Sequence, residues 1–426
     1  MAQHLLPGYP GQPPLYTWLQ YIFFKFFGVG LLSLALLKCS LILGCLYVFY
    51  LICKLHCQNN RLTWCAVLSW VLIPSISLDL IKDNTHSILA LLAACLTWYW
   101  FVAPHQLSKF FWHLVLGAII GMGFLTKFNY LLFFIIFLTS VLLIREYRNK
   151  LINSYLFLTL FIAIGIASPY ILWLLDHHLI GLSSAYKLKP ADSGVWQGLV
   201  SLIKASLFFA APAILLTVLF FPLPNPIFRP IKLENKLLLY YHLLSLPLLA
   251  FAMIAASFYV FETRWLIPIL FLCPALYFSQ ISYQDKWQTR ASFFIKLCLG
   301  IQCLLLALLI YISHADRYKS KHILFNQLVQ SIKKEQKNPG YIASDSYWLL
   351  GNLMATLSFK NAWLVHPQNL SLPADETLLV WQTIQLPFWV KHFSQSYTVE
   401  KLKWIKNADN RIVAGYTYAV PVKHQN

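Results

Sequence analysis

The sequence predicts a mainly α-helical, polytopic membrane protein that ends in a small α/β domain. Two features of its composition predict the membrane part: 59% of the 426 residues are hydrophobic, and only 11% are charged. A soluble domain carries about 25% charged residues, so this chain has too few charges to cover a water-exposed surface. The 15 Trp and 23 Tyr residues agree, because both types are enriched at membrane interfaces.

Apolar runs along the chain predict about ten membrane-spanning helices, each requiring roughly 20 apolar residues. The runs lie at residues 29–53, 62–80, 86–103, 111–126, 128–144, 153–175, 199–221, 237–260, 264–281 and 291–312. Lys127 and Asn129 interrupt the region 111–144, which is therefore also compatible with a broken pair of helices. A further aromatic-rich helix is expected at 12–27, lying along the membrane interface.

The connections between these runs differ in charge, and the difference predicts the orientation. One alternating set carries eleven Lys and Arg residues: Lys54, Arg61, Lys109, Arg145, Arg148, Lys150, Arg229, Lys232, Lys236, Lys286 and Arg290. The other set carries six: Lys25, Lys82, Lys127, Lys187, Lys189 and Arg264. The positive-inside rule places the first set in the cytoplasm, so the N-terminal stretch, the 176–198 loop and the C-terminal stretch face outward.

The C-terminal stretch has the mixed pattern of a small α/β domain. Amphipathic helices are predicted at 319–335 and 347–359, and short strands at "YIAS", "NAWLVH", "TLLVWQ" and "RIVAGYTYAV". The chain is therefore divided into an interfacial collar at 1–28, a membrane domain at 29–312 and an outward-facing domain at 313–426.

Charge and cysteine content exclude several functions. The net charge of +18 is scattered between apolar runs, which indicates membrane topology and anionic lipid rather than nucleic acid. The cysteines lie in or beside apolar runs, and Cys53 and Cys57 have no second pair to complete a zinc site. The sequence predicts no metal site at these cysteines and no certain cofactor, and it leaves a role for a divalent metal open.

The six outward basic residues are candidates for a binding site, because the charge rule alone would place them in the cytoplasm. Lys and Arg bind phosphate through charge-assisted hydrogen bonds. Lys127, in "GMGFLTKFNY", and Arg264, in "FETRWLIP", lie at the ends of apolar runs, where a charge usually faces a cavity. Lys38 and Lys204 are further candidates for the same cavity. The alternative is that these side chains extend to the interface.

Carboxylates are scarce, and the outward ones are Asp79, Asp83, Asp176, Asp192 and Glu262. A general base must come from such a group or from a histidine. Asp83 follows Lys82 at the outer end of one run, but it is equally suited to cap the next helix. Glu262 is expected to pair with Arg264 or a lysine. These residues suit an enzyme that acts on a lipid phosphate, and they suit a transporter of an anionic substrate almost as well.

Five segments resemble a known family in order and spacing. They are "GYPGQPPLYTWLQ", "LIKDNTHSILALLAACLTWYW", "GAIIGMGFLTKFNYLLF", "ASPYILWLLDH" and "ETRWLIPIL". Together they cover most of residues 8–281 and resemble the polyprenyl-phosphate-sugar-dependent membrane glycosyltransferases of the C-type fold, which belong to glycosyltransferase family 39. That group includes the protein O-mannosyltransferases and the lipid A aminoarabinose transferase.

The resemblance implies a reaction and a location. A sugar would move from a polyprenyl phosphate to an outward-facing lipid A, core oligosaccharide, glycan or protein, by displacement at the anomeric carbon. The membrane would be the bacterial inner membrane, with the C-terminal domain in the periplasm. The resemblance implies that Lys127, Arg264 and Lys82 bind the lipid phosphate, and that the cavity wall is formed by Gln12, Pro13, Pro14, Tyr16 and Tyr130.

One feature of the family pattern has no counterpart in this sequence. The family carries an acidic residue in its first outer loop, upstream of the Gln-Pro-Pro motif. Seven residues precede Gly8, and none of them is acidic. Either the true start lies further upstream, or the chain is a shortened and inactive homologue. Asp83 is the carboxylate assigned to catalysis in its place.

Overall fold

The computed structural model of the chain describes residues 2, 5–9, 11–82, 85–178, 194–221, 232–281, 287–316, 320–357, 359, 361–365, 371–383, 385–406 and 412–421. The chain divides into two compact units. The first, here called the membrane unit, comprises Met1–Phe23 and Leu34–Leu306. The second, here called the C-terminal unit, comprises Phe24–Ser33 and Ala307–Asn426.

Helices account for nearly all of the regular structure before the C-terminal unit. In chain order they are α1 (Leu15–Phe27), α2 (Leu31–His56), α3 (Asn60–Leu68), α4 (Leu80–Lys82), α5 (Thr85–Val102), α6 (Lys109–Phe124), α7 (Phe128–Leu143), α8 (Arg145–Leu151), α9 (Leu156–Asp176), α10 (Val195–Phe220), α11 (Leu233–Ala256), α12 (Ile267–Leu270), α13 (Cys273–Ser279) and α14 (Gln288–Asp316). Shorter turns separate some of them: a 3₁₀ turn at Ser69–Leu72, a π-helical turn at Ser75–Asp79 and a 3₁₀ turn at Thr263–Leu266.

The number of membrane-spanning helices is smaller than the sequence predicts. Among the described residues, six helices are long and apolar enough to cross a membrane: α2, α5, α9, α10, α11 and α14. A seventh span results if α7 and α8, which meet at 113°, are counted as one. The prediction of ten spans is therefore not confirmed, although the multi-pass architecture is.

Two of the predicted spans are instead divided into short helical pieces, and proline explains where they break. The run 62–80 is interrupted at Pro74, which precedes the π-helical turn. The run 264–281 contains Pro268 and Pro274, each in the first turn of a short helix. Proline lacks the N–H that continues a helix and clashes with the preceding turn, so apolar composition alone overestimates helix length here.

Close packing of α6 against α9 depends on two glycines. A Cβ on Gly117 would lie 2.7 Å from the Thr159 carbonyl oxygen, and one on Gly121 would lie 2.9 Å from that of Ala163. No larger residue fits at that separation, which is the function of small residues at membrane helix contacts. The spacing in "GAIIGMG" predicts this packing, and the structure confirms it.

The C-terminal unit is a mixed sheet with helices on both faces. Its elements are α15 (Ser320–Lys334), β1 (Tyr341–Ser344), α16 (Tyr347–Leu357), β2 (Asn361–Leu364), β3 (Thr377–Trp381), α17 (Phe388–Ser396), β4 (Tyr397–Val399), β5 (Lys403–Lys406) and β6 (Ile412–Pro421). The strand order is β2-β1-β3-β6-β4, and β5 pairs with β6. Strand β1 is parallel to both β2 and β3, whereas β6 is antiparallel to its neighbours.

Alternation along the strands assigns the two faces of this sheet. Ile342 and Leu378 pack with α15 and α16, whereas Ala343 and Leu379 pack with α17. Successive strand residues point to opposite faces, so both faces acquire a hydrophobic core. The α/β domain expected after residue 313 is confirmed in its fold class.

Candidate active site

The proline-rich part of the collar that precedes α1 is held against the rest of the membrane unit by backbone and ring contacts. Pro13 and Pro14 are buried, and the Leu15 N–H donates to the Leu125 carbonyl at 3.0 Å. A Cβ on Gly8 would lie 1.9 Å from a ring carbon of Trp173, so only glycine fits beneath that indole. The collar is therefore fixed on the connection between α6 and α7.

Lys127 lies in that connection, where the chain leaves one helix and begins the next. Its backbone is extended, with φ −167° and ψ 149°, immediately before α7. Its ammonium donates to the Ser87 hydroxyl at 2.7 Å. The pKa of Lys127 is lowered to about 8, chiefly by burial and also by the nearby charge of Arg264, while the charge of Glu262 opposes both. Lys127 thus shares one electrostatic environment with the other predicted phosphate ligand.

Arg264 belongs to the 3₁₀ turn before α12 and forms an ion pair with Glu262. The Arg264 Nε lies 2.5 Å from the Glu262 carboxylate, and the two side chains are 46% and 41% exposed. The pairing expected from the sequence is confirmed. An ion pair this exposed contributes little free energy, about 0–1 kcal/mol, so the guanidinium can exchange this partner for an anionic ligand.

A groove of about 730 Å³ opens beside this ion pair. It is lined by Asp79, Ser201, Lys204, Ala205, Phe208, Phe261, Glu262, Thr263 and Arg264. The Ser201 hydroxyl accepts a hydrogen bond from the Phe261 N–H at 2.9 Å, and a Cβ on Gly198 would lie 2.6 Å from the Phe258 carbonyl oxygen. These contacts hold α10 against the 258–264 segment and keep the shape of the groove.

Several polar side chains of the collar, together with His86, are buried but incompletely hydrogen-bonded. The rings of Tyr16 and His86 lie 4.9 Å apart, and His86 also hydrogen-bonds the Thr126 backbone. The His86 Nδ1, the Gln12 Oε1 and both polar atoms of the Gln20 amide are buried without a hydrogen-bond partner. Buried polar groups nearly always have partners, so these atoms are suited to receive water or a polar ligand.

The predicted site residues divide into four groups in the structure. Lys127 and Arg264 share one electrostatic environment, and Gln12, Pro13, Pro14 and Tyr16 form the collar next to Lys127. Asp83 and the side chain of Lys82 lie outside the described residues. Tyr130, expected in the cavity wall, is instead 0% exposed and bonds to the Thr97 hydroxyl at 2.7 Å. It supports α7 from within the core, because its position three residues after Lys127 points it inward.

Sequence reasoning missed Ser87 and His86, and it named Asp79 without a role. Ser87 and His86 lie in "DNTHS", a segment that the sequence analysis considered only as the N-terminal cap of the next helix. Ser87 lies 40 residues before Lys127 in the chain, so only the tertiary structure shows that the two residues are close. The described residues contain no group of three His, Cys, Asp or Glu side chains arranged to hold a metal ion.

Fold and site together define a multi-pass membrane protein with a groove whose lining includes two basic and two acidic residues. Two solved structures share the fold: ArnT from Cupriavidus metallidurans in the apo state, with a TM-score of 0.63, and the same protein bound to undecaprenyl phosphate, with 0.59. Each alignment covers 96% of this chain and 88% of the other chain, at 13% sequence identity. At that identity the likeness establishes the fold alone.

Sequence comparison adds a match to one family model and to two curated relatives. Residues 11–173 match the model of the family described as dolichyl-phosphate-mannose-protein mannosyltransferase. The chain is 30% identical over 294 residues to the lipopolysaccharide core galacturonosyltransferase RgtB of Rhizobium johnstonii, and 25% identical over 291 residues to RgtA of the same organism. These matches cover 65% and 66% of this chain and 57% and 58% of the relatives. The resemblance to polyprenyl-phosphate-sugar-dependent membrane glycosyltransferases is thereby confirmed.

Proposed function

We propose that this protein transfers a sugar from a polyprenyl-phosphate donor to an outward-facing acceptor in the cell envelope. The observation that carries the proposal is that the charge of Lys127 interacts with that of Arg264, which lines a groove large enough for a sugar. Ligand pockets commonly measure about 300–1,000 Å³, and the groove has about 730 Å³.

The chemistry of sugar transfer requires a cation at the phosphate. When the acceptor attacks the anomeric carbon, the bond from that carbon to the phosphate oxygen breaks, and negative charge accumulates on the departing lipid phosphate. Preorganised donors at that position lower the barrier. Lys127 supplies an ammonium held by Ser87, and Arg264 supplies a guanidinium in a weak, exposed ion pair. Lys82 is retained as a third candidate ligand.

The comparisons support this assignment in two ways. One fold neighbour was solved bound to undecaprenyl phosphate, which is a polyprenyl phosphate of the proposed donor class. The two curated relatives are named for transfer of galacturonic acid to the lipopolysaccharide core. We infer a lipid-anchored glycan such as the lipopolysaccharide core as the acceptor, and galacturonic acid as the first donor sugar to test. The same findings favour transfer over transport of an anionic lipid-linked substrate.

The location follows from the same inference. We place the protein in a bacterial inner membrane, with the collar at 1–28 and the domain at 313–426 on the periplasmic side of the membrane domain at 29–312. The excess of basic residues in the opposite connections supports this orientation. A reporter enzyme that is active only in the periplasm, fused after residue 426, tests it directly. Activity of the fusion is expected, and activity of a cytoplasm-only reporter there would contradict it.

A transfer assay tests the function itself. Membranes containing the protein are incubated with radiolabelled polyprenyl-phosphate galacturonic acid and lipopolysaccharide core acceptor. Lys127→Ala and Arg264→Ala are each expected to lower the rate at least about 100-fold, the usual effect of removing one transition-state donor. Lys54→Ala is the matched control, since Lys54 is exposed near the C-terminal end of α2. This variant is expected to retain the wild-type rate. Full activity in both site variants would contradict the assignment.

A further inference from the structure

The groove beside Arg264 contains two carboxylates with different surroundings. Glu262 forms an ion pair with Arg264, so its negative charge is already engaged. Asp79 lines the same groove, has an exposed side chain and makes no hydrogen bond or ion pair with any described residue. Of the two described carboxylates in the lining, Asp79 is the one whose oxygens can accept a proton from a substrate without first releasing a cation.

The backbone that carries Asp79 is held firmly by its neighbours. Asp79 is the last residue of the π-helical turn Ser75–Asp79. Ser75, Ser77 and Leu80 are buried, and the Ser77 hydroxyl donates to the Ile73 carbonyl at 3.1 Å. The other side of the turn is therefore fixed in the core while Asp79 faces the groove. Single π-helical turns are rare and occur frequently at functional sites.

Direct displacement requires a base as well as a phosphate site. The acceptor hydroxyl is a weak nucleophile, and a positioned carboxylate that removes its proton typically accelerates attack 10²–10⁴-fold. In an inverting displacement the base acts at the acceptor, on the face of the sugar opposite the leaving group. A carboxylate in the groove, separate from the cations that hold the phosphate, meets this requirement.

We propose that Asp79 is the general base of the transfer and binds the acceptor hydroxyl in the groove. The acceptor oxygen forms the new bond to the anomeric carbon while the bond from that carbon to the phosphate oxygen breaks. The hydroxyl proton passes to the Asp79 carboxylate, and the bonding electron pair leaves with the polyprenyl phosphate. Lys204, which also lines the groove, supplies a positive charge beside the acceptor. This assignment rests on the proposed transferase function.

The first experiment separates a base from a phosphate ligand. Asp79→Asn keeps the size of the side chain and removes its basicity, so kcat is expected to fall at least 100-fold while the Kd for undecaprenyl phosphate stays within twofold. Asp176→Asn, a change in another exposed outward carboxylate, is the matched control and is expected to keep the wild-type kcat. Asp83→Asn is measured in parallel, and a loss of kcat confined to that variant would overturn the assignment to Asp79.

The second experiment excludes a merely structural role. Azide attacks without losing a proton, so it needs no general base. In Asp79→Ala, added azide is expected to restore turnover of the donor and to yield a glycosyl azide, detectable by mass spectrometry. A distorted site would not be restored in this way. A kcat near the wild-type value in Asp79→Asn, or the absence of glycosyl azide from an Asp79→Ala protein that still binds the lipid phosphate, would overturn the inference. If the wild-type protein transfers no sugar at all, the proposed function itself fails.

Discussion

Two polar clusters inside the membrane unit differ in whether their hydrogen bonds are complete. In the first, the His56 Nδ1 lies 2.9 Å from the Asn235 Oδ1, and the Trp98 Nε1 donates to the His56 Nε2 at 3.1 Å. We call this set the His56 network. Because an indole N–H only donates, the His56 Nε2 must accept, so the proton of the neutral ring lies on Nδ1 and is donated to Asn235.

The second cluster, formed by Gln12, Tyr16, Gln20 and His86, is here called the collar cluster. It leaves four polar atoms buried without partners. A completed network holds its elements in one arrangement, whereas each unpaired buried group costs about 1–3 kcal/mol. Evolution can retain unpaired buried groups where a bound ligand supplies the missing hydrogen bonds. From this comparison we expect the His56 network to matter for stability, and we expect the collar cluster to matter for ligand binding.

The largest expected effect is on stability, from removal of His56. His56→Ala leaves the Trp98 N–H and the Asn235 amide oxygen buried without partners, and we expect the free energy of unfolding in detergent to fall by about 4 kcal/mol. The Kd of the folded protein for undecaprenyl phosphate should not change. His105→Ala, which removes a half-buried contact with the Trp100 carbonyl, is the control with an expected loss of about 1 kcal/mol. Equal losses in the two variants would remove the distinction between the clusters.

The next effect concerns Lys127, whose charge interacts with His86 of the collar cluster and with Arg264 of the groove. Its pKa of about 8 means that the free protein loses this positive charge as the pH rises through 8. The lipid phosphate stays ionised over that range, since phosphate monoesters have a pKa near 6, and Arg264 stays protonated. The Kd for undecaprenyl phosphate should therefore rise about tenfold between pH 7 and pH 9, equal to about 1.4 kcal/mol.

Lys127→Met is the control for this pH dependence. With no titrating ammonium, its Kd should be weaker throughout and nearly constant between pH 7 and pH 9. Binding that is constant with pH in the wild-type protein would show that the phosphate does not contact Lys127. An equal pH dependence in the variant would assign the titration to another group.

The outcome for the fold shows what the amino-acid pattern can predict. Hydrophobic content and the turn residues of the C-terminal unit predict the membrane class and the four strands "YIAS", "NAWLVH", "TLLVWQ" and "RIVAGYTYAV", because these depend on local periodicity. The number of spans depends on where prolines such as Pro74 and Pro268 break apolar runs, and a hydropathy window does not register that. Strands β4 and β5 are not predicted: β4 has only three residues, and β5 begins and ends with a lysine, Lys403 and Lys406, which makes it look like a polar connection.

The site was predictable in part, for a different reason. Lys127 and Arg264 stand out in the sequence because a charge within an apolar run is costly. Ser87 and Asp79 do not, since their closeness to Lys127 and to the groove depends on which helices the fold brings together. Tyr130 follows Lys127 by three residues, and only the packing of the folded chain shows that its side chain is buried. The sequence identifies charged residues in apolar surroundings, whereas hydrogen-bond partners and solvent exposure are properties of the tertiary structure.

The smallest expected effect tests the collar cluster directly. Gln20 is 3% exposed, and both polar atoms of its amide lack partners. Gln20→Leu replaces them with carbon of similar volume, so the free energy of unfolding in detergent should rise by about 1 kcal/mol. The KM for the polyprenyl-phosphate sugar should rise a few-fold, because the amide no longer binds a polar ligand.

Thr17→Val, on the same buried face of α1, is the control with no gain in stability. A Gln20→Leu protein that is less stable than wild type would mean that the amide is already satisfied in the free protein, and that the collar cluster belongs with the His56 network as a structural element.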